Sequence, residues 1–299
     1  MIPIRNPAKS MDVYLNGAFT DAGQACISPM DRGFLFADGA YEVVPAFNGV
    51  LFGFDAHLGR LQRSLDALQI GNPYTTPQWR NLCLELVERN GSGDLAVYLQ
   101  VTRGAPESRD QAFPASSVPT TVFMTTYPIP RTAVHSPDTA TGAAAILADD
   151  LRWSRCDIKS VALLANVLCR QQAANAGAVE AIQIREGLVT EGSATNVFIV
   201  TGGSVATPPC SHKILAGITR ETVIGLCTDL KVAVCEREIP REELLGAEEI
   251  WITSSSKDAL PIVTLDGRPV GNGVPGPVWK DLARFFVEHK RSICGGTEQ

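Results

Sequence analysis

The sequence predicts an α+β fold with antiparallel sheets in two domains, and three observations carry that expectation. Short apolar runs outnumber helical stretches and are separated by Asn-Gly, Glu-Gly and Gly-Gly pairs, the turns that reverse a chain between antiparallel strands. No Gly-x-Gly-x-x-Gly motif opens a βαβ unit, which argues against a doubly wound parallel sheet and a dinucleotide-binding domain. Midway, Tyr127-Pro-Ile-Pro-Arg-Thr-Ala-Val-His-Ser-Pro137 holds three prolines in eleven residues and reads as an extended linker. The expected division is a first domain over 1–128, a linker over 129–136 and a second domain over 137–299.

In chain order, Val13-Tyr14-Leu15 forms a strand turned at Asn16-Gly17, and Tyr41 to Phe47 pairs with Val50 to Phe54 through Asn48-Gly49. Asp55 is expected to cap a helix whose Leu58, Leu61, Leu65 and Leu68 make one apolar stripe, with Gly71 ending it and Arg60 and Arg63 off the stripe. Thr76-Pro77 opens a second helix, which carries Trp79, Leu82, Leu86 and Val87 and stops at Asn90-Gly91. Strands over Ala96 to Thr102 and Thr120 to Thr126 follow. The Gly-, Pro- and Ser-rich connection between them, Arg103 to Val118, has the length of a binding loop or mobile lid. Beyond the linker come a strand at Ala143 to Leu147 and a helix after Lys159, with Ser160 as cap and Leu163, Leu164, Val167 and Leu168 at helical spacing. A meander from Ala181 to Thr207, a helix from Thr219 to Leu230, a strand at Glu249 to Thr253 and a closing helix from Pro277 to about Lys290 complete the chain.

With 299 residues, 45% apolar and 19% charged, the chain is long enough for a sizeable core. A net charge of -6 without any basic run disfavours nucleic acid or an anionic membrane as partner, and leaves small molecules as the expected ligands. Eight cysteines without a CxxC pair or a histidine at ligand spacing give no zinc site, so no metal is expected. Cys83, Cys169 and Cys227 fall within helical patterns and suit reduced thiols in a cytoplasmic protein. The opening MIPIRNPAKS has no apolar h-region, and no run approaches the ~20 apolar residues of a membrane span.

Four stretches suggest chemistry. Lys159, beside a helix, is the side-chain type that forms imines with carbonyls, although most lysines are solvated charges. Gly217-Ile218-Thr219 opens a helix, where unpaired N–H groups and the dipole favour an anion, and Thr253-Ser254-Ser255-Ser256 adds donors. Each of these also reads as an ordinary cap or turn. Glu191, in Thr190-Glu-Gly-Ser-Ala-Thr-Asn196, is a carboxylate among small residues with a strand on either side. An amine, a phosphate cradle and an isolated acid together suggest pyridoxal 5′-phosphate.

Beyond those four stretches, the chain carries Asp31-Arg-Gly-Phe-Leu-Phe-Ala-Asp-Gly-Ala-Tyr-Glu-Val-Val44, His57-Leu-Gly-Arg60, Val101-Thr-Arg-Gly104 and Arg152-Trp-Ser-Arg-Cys-Asp-Ile-Lys-Ser160. With Thr190 to Phe198, Ile214-Leu-Ala-Gly-Ile-Thr-Arg220 and Ile252-Thr-Ser-Ser-Ser256, these run in order over nearly its whole length. In this set the chain resembles the class IV pyridoxal-phosphate aminotransferases, and among them the bacterial D-amino acid aminotransferases. The resemblance implies an N-terminal α/β sandwich and a C-terminal pseudobarrel (fold type IV), with the cofactor between them, and a homodimer whose partner completes the active site.

By the same resemblance, Lys159 is the Schiff-base lysine and Glu191 the acid paired to the pyridine nitrogen. Arg60, Gly217, Ile218, Thr219, Ser254 and Ser255 serve the phosphate, and Leu215 supports the ring. Tyr41, Val43, Arg103, Arg109, Gln111 and Ser256 line the substrate pocket. One departure bears on specificity: the D-amino acid enzymes carry Arg-x-His in the loop, whereas here Gln111 follows Arg109 at the histidine position, and the loop is one residue longer. A neutral amide makes a weaker hydrogen bond to a carboxylate than a charged donor does. The expected reaction is transfer of an amino group between an amino acid, chiefly the D-enantiomer, and a 2-oxo acid such as 2-oxoglutarate or pyruvate. Alternatives on the same fold are an (R)-selective amine transaminase, a branched-chain L-aminotransferase and an aminodeoxychorismate lyase; a non-catalytic interaction protein is the alternative from another class.

Overall fold

Turn chemistry and apolar periodicity set most of the elements. A computed structural model of the protein describes residues 11–91, 93–129 and 137–295. In order these form β1 (Asp12–Leu15), β2 (Ala18–Asp21), α1 (Arg32–Phe36), β3 (Gly39–Phe47), β4 (Val50–Leu51), α2 (Phe54–Leu68), α3 (Thr76–Asn90), β5 (Leu95–Thr102) and β6 (Thr121–Pro128). Then come β7 (Ala143–Asp149), α4 (Leu164–Asn175), β8 (Glu180–Arg185), β9 (Leu188–Gly192), β10 (Asn196–Thr201), β11 (Ser204–Thr207), α5 (Ile218–Asp229) and β12 (Val234–Glu236). The chain closes with α6 (Arg241–Leu245), β13 (Glu249–Ser254), β14 (Asp258–Leu265), β15 (Arg268–Pro269) and α7 (Pro277–Cys294). Of the described residues, those in 11–129 and 158–162 form one compact unit, and those in 137–157 and 163–295 a second. The expected linker falls almost entirely on 130–136, and the opening stretch on 1–10, both outside the described residues.

The first unit is a six-stranded antiparallel sheet in the order β2-β1-β6-β5-β3-β4, with α2 and α3 against one face. Strand alternation sends Val44, Val97, Leu99, Val101 and Met124 into a core with Leu61, Leu65, Trp79 and Leu86. Tyr41, Val43, Tyr98, Gln100 and Phe123 are half-buried on the other face, where the Tyr41 and Tyr98 rings stack at 5.5 Å. Two helix ends differ from the sequence reading. The strand expected over Val50 to Phe54 stops at Leu51, and Gly53, at φ 64, takes the cap position expected of Asp55, which lies inside the first turn of α2. At the other end the cap is Gln69 rather than Gly71: Gln69 is left-handed at φ 54, and the Ile70 N–H donates to the Leu65 carbonyl (2.9 Å), with buried Ile70 closing the end. In α3, Thr75 and Gln78 form a capping box ahead of Pro77.

The second unit is a nine-stranded sheet, ordered β12-β11-β10-β13-β14-β7-β8-β9 with β15 on β14. Because β9 also packs against β10, the strands from β10 round to β9 curl into a ring filled by Ile182, Val197, Ile199, Ile250, Ile252 and Ile262. Outside it, Phe198, Val200 and Trp251 pack with Val223 of α5 and with Trp279 and Phe286 of α7. The expectation of antiparallel pairing alone is corrected here: β7 runs parallel to β8 and to β14, and β11 parallel to β12. Both α4 and α5 are crossovers between parallel neighbours, which a hairpin turn cannot join. Among the described residues no helix is long and apolar enough to cross a membrane.

Glu249 of β13 docks α7 onto this sheet. Its buried carboxylate accepts from the Val278 N–H (2.9 Å), the Trp279 N–H (2.8 Å) and Trp251 Nε1 (3.0 Å), so a neighbouring strand supplies the acid for the first turn of the helix. Gly276 has to be small, since a Cβ there would lie 2.1 Å from Glu249 Cδ. Glu249→Ala leaves these donors without an acceptor, and at about 1–3 kcal/mol for each buried unsatisfied group the loss is large enough to read by urea denaturation. Amide exchange in the first turn of α7 should accelerate with it.

Candidate active site

The lysine stretch is held by the edge of a sheet. β4 is only two residues long, which leaves the edge of β3 near Gly39 to Tyr41 open, and residues 158–162 occupy it. Ala40 and Ser160 form an antiparallel bridge, the Tyr41 N–H donates to the Lys159 carbonyl and the Val161 N–H to the Gly39 carbonyl, both at 3.0 Å. The Lys159 N–H donates to Ser64 Oγ at 3.1 Å. Ser160 is therefore a bridge residue rather than a helix cap, α4 begins only at Leu164, and Lys159 groups with the first unit rather than the second. Lys159 Nζ lies 4.2 Å from the Tyr41 ring centroid, so these two expected site residues are together.

Glu42, between Tyr41 and Val43, points to the helix side of the sheet and is fully buried. It accepts from Arg60 Nε (2.7 Å) and Nη2 (2.9 Å) and contacts His57 Nδ1 at 2.8 Å. Burial alone would raise its pKa, but the Arg60 charge and the His57 hydrogen bond hold it well below the usual carboxylate range. Burial lowers the His57 pKa, so the neutral ring donates from Nδ1. Arg60, expected to lie off the apolar stripe, is 5% exposed because this buried acid draws it in.

The loop after β5 separates the three residues grouped there by the sequence. Arg103 is committed elsewhere: it donates to Asp38 through Nε (2.7 Å) and Nη2 (3.0 Å) and to the carbonyls of Leu68 (2.6 Å) and Gln69 (2.8 Å). All three of its guanidinium nitrogens thus meet acceptors of the protein itself. Arg109 and Gln111 are exposed, and Arg109 forms no ion pair among the described residues.

In the second unit, Glu191 of β9 is buried and receives three donors. Arg152 Nη1 binds Oε1, while Asn196 Nδ2 (3.1 Å) and the Leu215 N–H (3.0 Å) bind Oε2. Arg152, 5% exposed at its side chain, is clamped in turn by the Asp150 carboxylate at 2.8–2.9 Å. Burial pushes the Glu191 carboxyl up to about 7, against the pull of Arg152 and the Leu215 N–H. The adjoining turn is shaped by Glu180, which accepts from the Ser193 N–H (3.0 Å) and Thr195 Oγ1 (2.9 Å). Asn196 Nδ2 also reaches the Leu215 carbonyl (2.8 Å), and its Oδ1 lies where a Cβ on Gly217 would come within 2.0 Å. Glu191, Leu215, Gly217 and the start of α5 are thus assembled around one asparagine. The resemblance gave roles to Glu191, Leu215 and Gly217; the charge partners Arg152 and Glu42 lie inside the matched stretches without a role, and Asp150 lies outside them.

Whether these residues suit a phosphate can be judged from unsatisfied groups. α5 has no side-chain cap at Gly217, its first turn holds Ile218 and Thr219, and β13, paired to β10 at Asn196 and Thr253, packs against it. Thr253 Oγ1 and Ser254 Oγ are buried without a hydrogen-bond partner among the described residues. Buried hydroxyls without partners are costly unless something accepts from them, and a phosphate beside a helix N-terminus does so. Ser255 and Ser256 form the half-buried turn that follows. The residues present fit a phosphate-bearing cofactor.

The Glu191 pKa carries a pH signature. Its folded value, about 7 against the ordinary 4.5, lies above the unfolded one, so its contribution to stability is complete below the unfolded value and is lost as pH rises through about 7. Urea denaturation of the cofactor-free protein between pH 5 and 8 should show stability falling with pH, and Glu191→Gln should flatten that slope. An unchanged slope in the variant would remove Glu191 as its source.

Comparison with known proteins meets this geometry. The family described as amino-transferase class IV matches residues 39–265. A D-alanine aminotransferase of Bacillus licheniformis is 38% identical over 272 residues, 91% of this chain and 94% of that protein. One from Staphylococcus aureus (strain COL) is 35% identical over 280 residues, 94% and 98% of the two chains. Among solved structures, a branched-chain aminotransferase from the thermophilic archaeon Thermoproteus uzoniensis, with norvaline, superposes with a TM-score of 0.82 at 27% identity, covering 97% of each chain. With the family matched over most of the chain and relatives above 30% identity along nearly all of it, this protein belongs to the class IV aminotransferases, enzymes that work with pyridoxal 5′-phosphate.

Proposed function

We propose that the protein moves amino groups between D-amino acids and 2-oxo acids such as 2-oxoglutarate or pyruvate, in two half-reactions. The observation that carries this reading is the match to D-alanine aminotransferases over more than nine-tenths of the chain. The branched-chain structural relative favours a second reading, L-branched-chain substrates, but Tyr41-Glu-Val-Val44 lacks the Phe-Glu-Gly of the branched-chain enzymes. Gln111 in place of histidine leaves amines without a carboxylate as a third class to test.

Pyridoxal phosphate, when bound, supplies an aldehyde for the amino group and an aromatic ring that spreads the negative charge developing at the substrate Cα. Lys159 Nζ is the amine that holds the cofactor and then takes the proton from Cα. Glu191, kept in place by Arg152, Asn196 and the Leu215 N–H, holds a proton at the ring nitrogen. The first turn of α5 with Thr219, together with Ser254 and Ser255, binds the phosphate; Arg60 adds a cation whose orientation Glu42 determines. Leu215 supports the ring, and Tyr41, Val43 and Ser256 line the substrate side. Arg109, a cation without an anionic partner among the described residues, takes the α-carboxylate, with the neutral Gln111 beside it.

The reading includes a homodimer. It is supported by the face of α4, where Leu164, Val167 and Leu168 stand 74%, 58% and 57% exposed, an apolar surface of the kind a second copy covers. Of the four residues read at helical spacing, these three face outward, and Leu163, at the cap, is half-buried. We place the protein in the cytoplasm because all eight cysteines are free thiols, five of them buried.

Lys159→Ala should abolish turnover, and borohydride reduction with peptide mapping should put the pyridoxyl group of the wild type on Lys159; a different lysine would overturn the site. Arg109→Ala should weaken D-alanine use by roughly 2–5 kcal/mol in kcat/KM, the scale for breaking a desolvated charge pair, while (R)-phenylethylamine is hardly affected. A wild type that prefers L-branched-chain donors over D-alanine in the same assay would displace the D-amino acid reading in favour of the second.

A further inference from the structure

The loop carrying Arg109 and Gln111 exposes nearly every side chain from Ala105 to Phe113, yet its backbone is held from below by one buried side chain. Arg32, in the short helix α1, is 4% exposed. Its Nη1 donates to the carbonyls of Asp110 and Ala112 (3.1 Å to the latter) and its Nη2 to the carbonyl of Gln111 (3.1 Å), so one guanidinium holds three consecutive loop residues. Nε binds Asp38 Oδ2 (2.8 Å), and the Arg32 N–H binds the Gly104 carbonyl (2.9 Å) at the root of the loop.

The anchor is itself fixed. Asp38 is shared with Arg103, whose guanidinium lies 3.7 Å from the ring centroid of Phe113 at the far end of the same stretch. Phe36 stands 4.8 Å from the Arg32 guanidinium and 4.7 Å from that of Arg109, so the ring that borders the anchor also borders the exposed cation. Asp31 caps α1 through the Gly33 N–H (2.8 Å) and accepts from Thr102 Oγ1 (3.0 Å), tying the helix to the end of β5. The loop, whose length reads as that of a binding loop or mobile lid, is anchored through backbone carbonyls, which no side-chain pattern reveals.

We propose that Arg32 is a positioning residue for substrate selection: by latching Asp110 to Ala112 it sets the places of Arg109 and Gln111, and with them the preference for donors that carry a carboxylate. The inference rests on the reading of Arg109 given above. A guanidinium suits the task because its rigid fork offers five donors, enough for one carboxylate and three carbonyls at once, whereas an ammonium on a flexible stem has three donors at a single point. Without the latch the three carbonyls turn to water, the loop samples many conformations, and Arg109 binds a carboxylate only after being ordered, a cost that falls on KM more than on kcat.

The test uses the full chain with Arg32→Ala and the charge-preserving Arg32→Lys, alongside Arg109→Ala. In cofactor-free protein, cleavage within residues 105–114 by a protease of low specificity should accelerate at least tenfold in Arg32→Ala, while exchange of the hydrogen-bonded amides of α2 and α3 is unchanged. In loaded enzyme, the ratio of kcat/KM for D-alanine to that for (R)-phenylethylamine should fall about tenfold, mainly through KM for D-alanine, with Arg32→Lys between the two. Should Arg32→Ala fail to fold, the same two readouts on Arg32→Lys decide, since partial loss is expected there. Unchanged cleavage in the loop overturns the proposal. So does faster cleavage with an unchanged ratio when Arg109→Ala lowers that ratio. If Arg109→Ala leaves the ratio unchanged, the carboxylate reading of Arg109 has failed, and the latch then stands or falls on cleavage.

Discussion

Buried and half-buried carboxylates answered by arginines organise the parts of this protein that bear on its chemistry. Glu42 holds Arg60, Asp38 holds Arg32 and Arg103, and Asp150 holds Arg152, which holds Glu191. Removing such charges from water is expensive, and a partner of the right geometry offsets the cost only when the hydrogen bonds are nearly all made. A pair of this kind adds little net stability, but it penalises every arrangement in which one partner is missing. Each therefore fixes a place: Arg60 beneath the sheet, the loop after β5, and the acid on β9.

Strand alternation decides which side chains these pairs serve. In β3, Glu42 faces the helices while Tyr41 and Val43 lie half-buried on the other face, so a single strand delivers both a buried anchor and an open surface. The lysine segment joins the same strand along the edge left open by the shortness of β4, which brings Lys159 to Tyr41. In the second unit β10 plays the matching part: Asn196 at its start links Glu191, the Leu215 backbone and the cap of α5, and its pairing with β13 sets Thr253 and Ser254 beside that cap. Each half of the chemistry is built on sheet backbone, which holds position better than loops do.

The exposed loop follows a different logic. Its side chains from Glu107 to Phe113 are exposed, so they are not ordered by their own burial. Arg32 supplies the order from beneath, through backbone carbonyls, and leaves the side chains of Arg109 and Gln111 at liberty. A change of side chain at Gln111 leaves these bonds in place, because the latch is made to the backbone and not to the side chain.

Most elements and the class of chemistry are legible in the sequence: Asn-Gly turns, the leucine stripe of α2, Thr76-Pro77 at the start of α3, and a set of motifs dense enough to point to a pyridoxal-phosphate aminotransferase. These are local signals, carried by residues a few positions apart. Which strands run parallel, which side of α4 meets the core and which arginine answers which acid depend on long-range packing. Arg103 meets Asp38, 65 positions earlier, and Arg32 meets carbonyls 78 to 80 positions later, pairings that nothing in the local sequence marks. Such pairings are set by the packing of distant segments, and a charge carries no periodicity that would announce its partner.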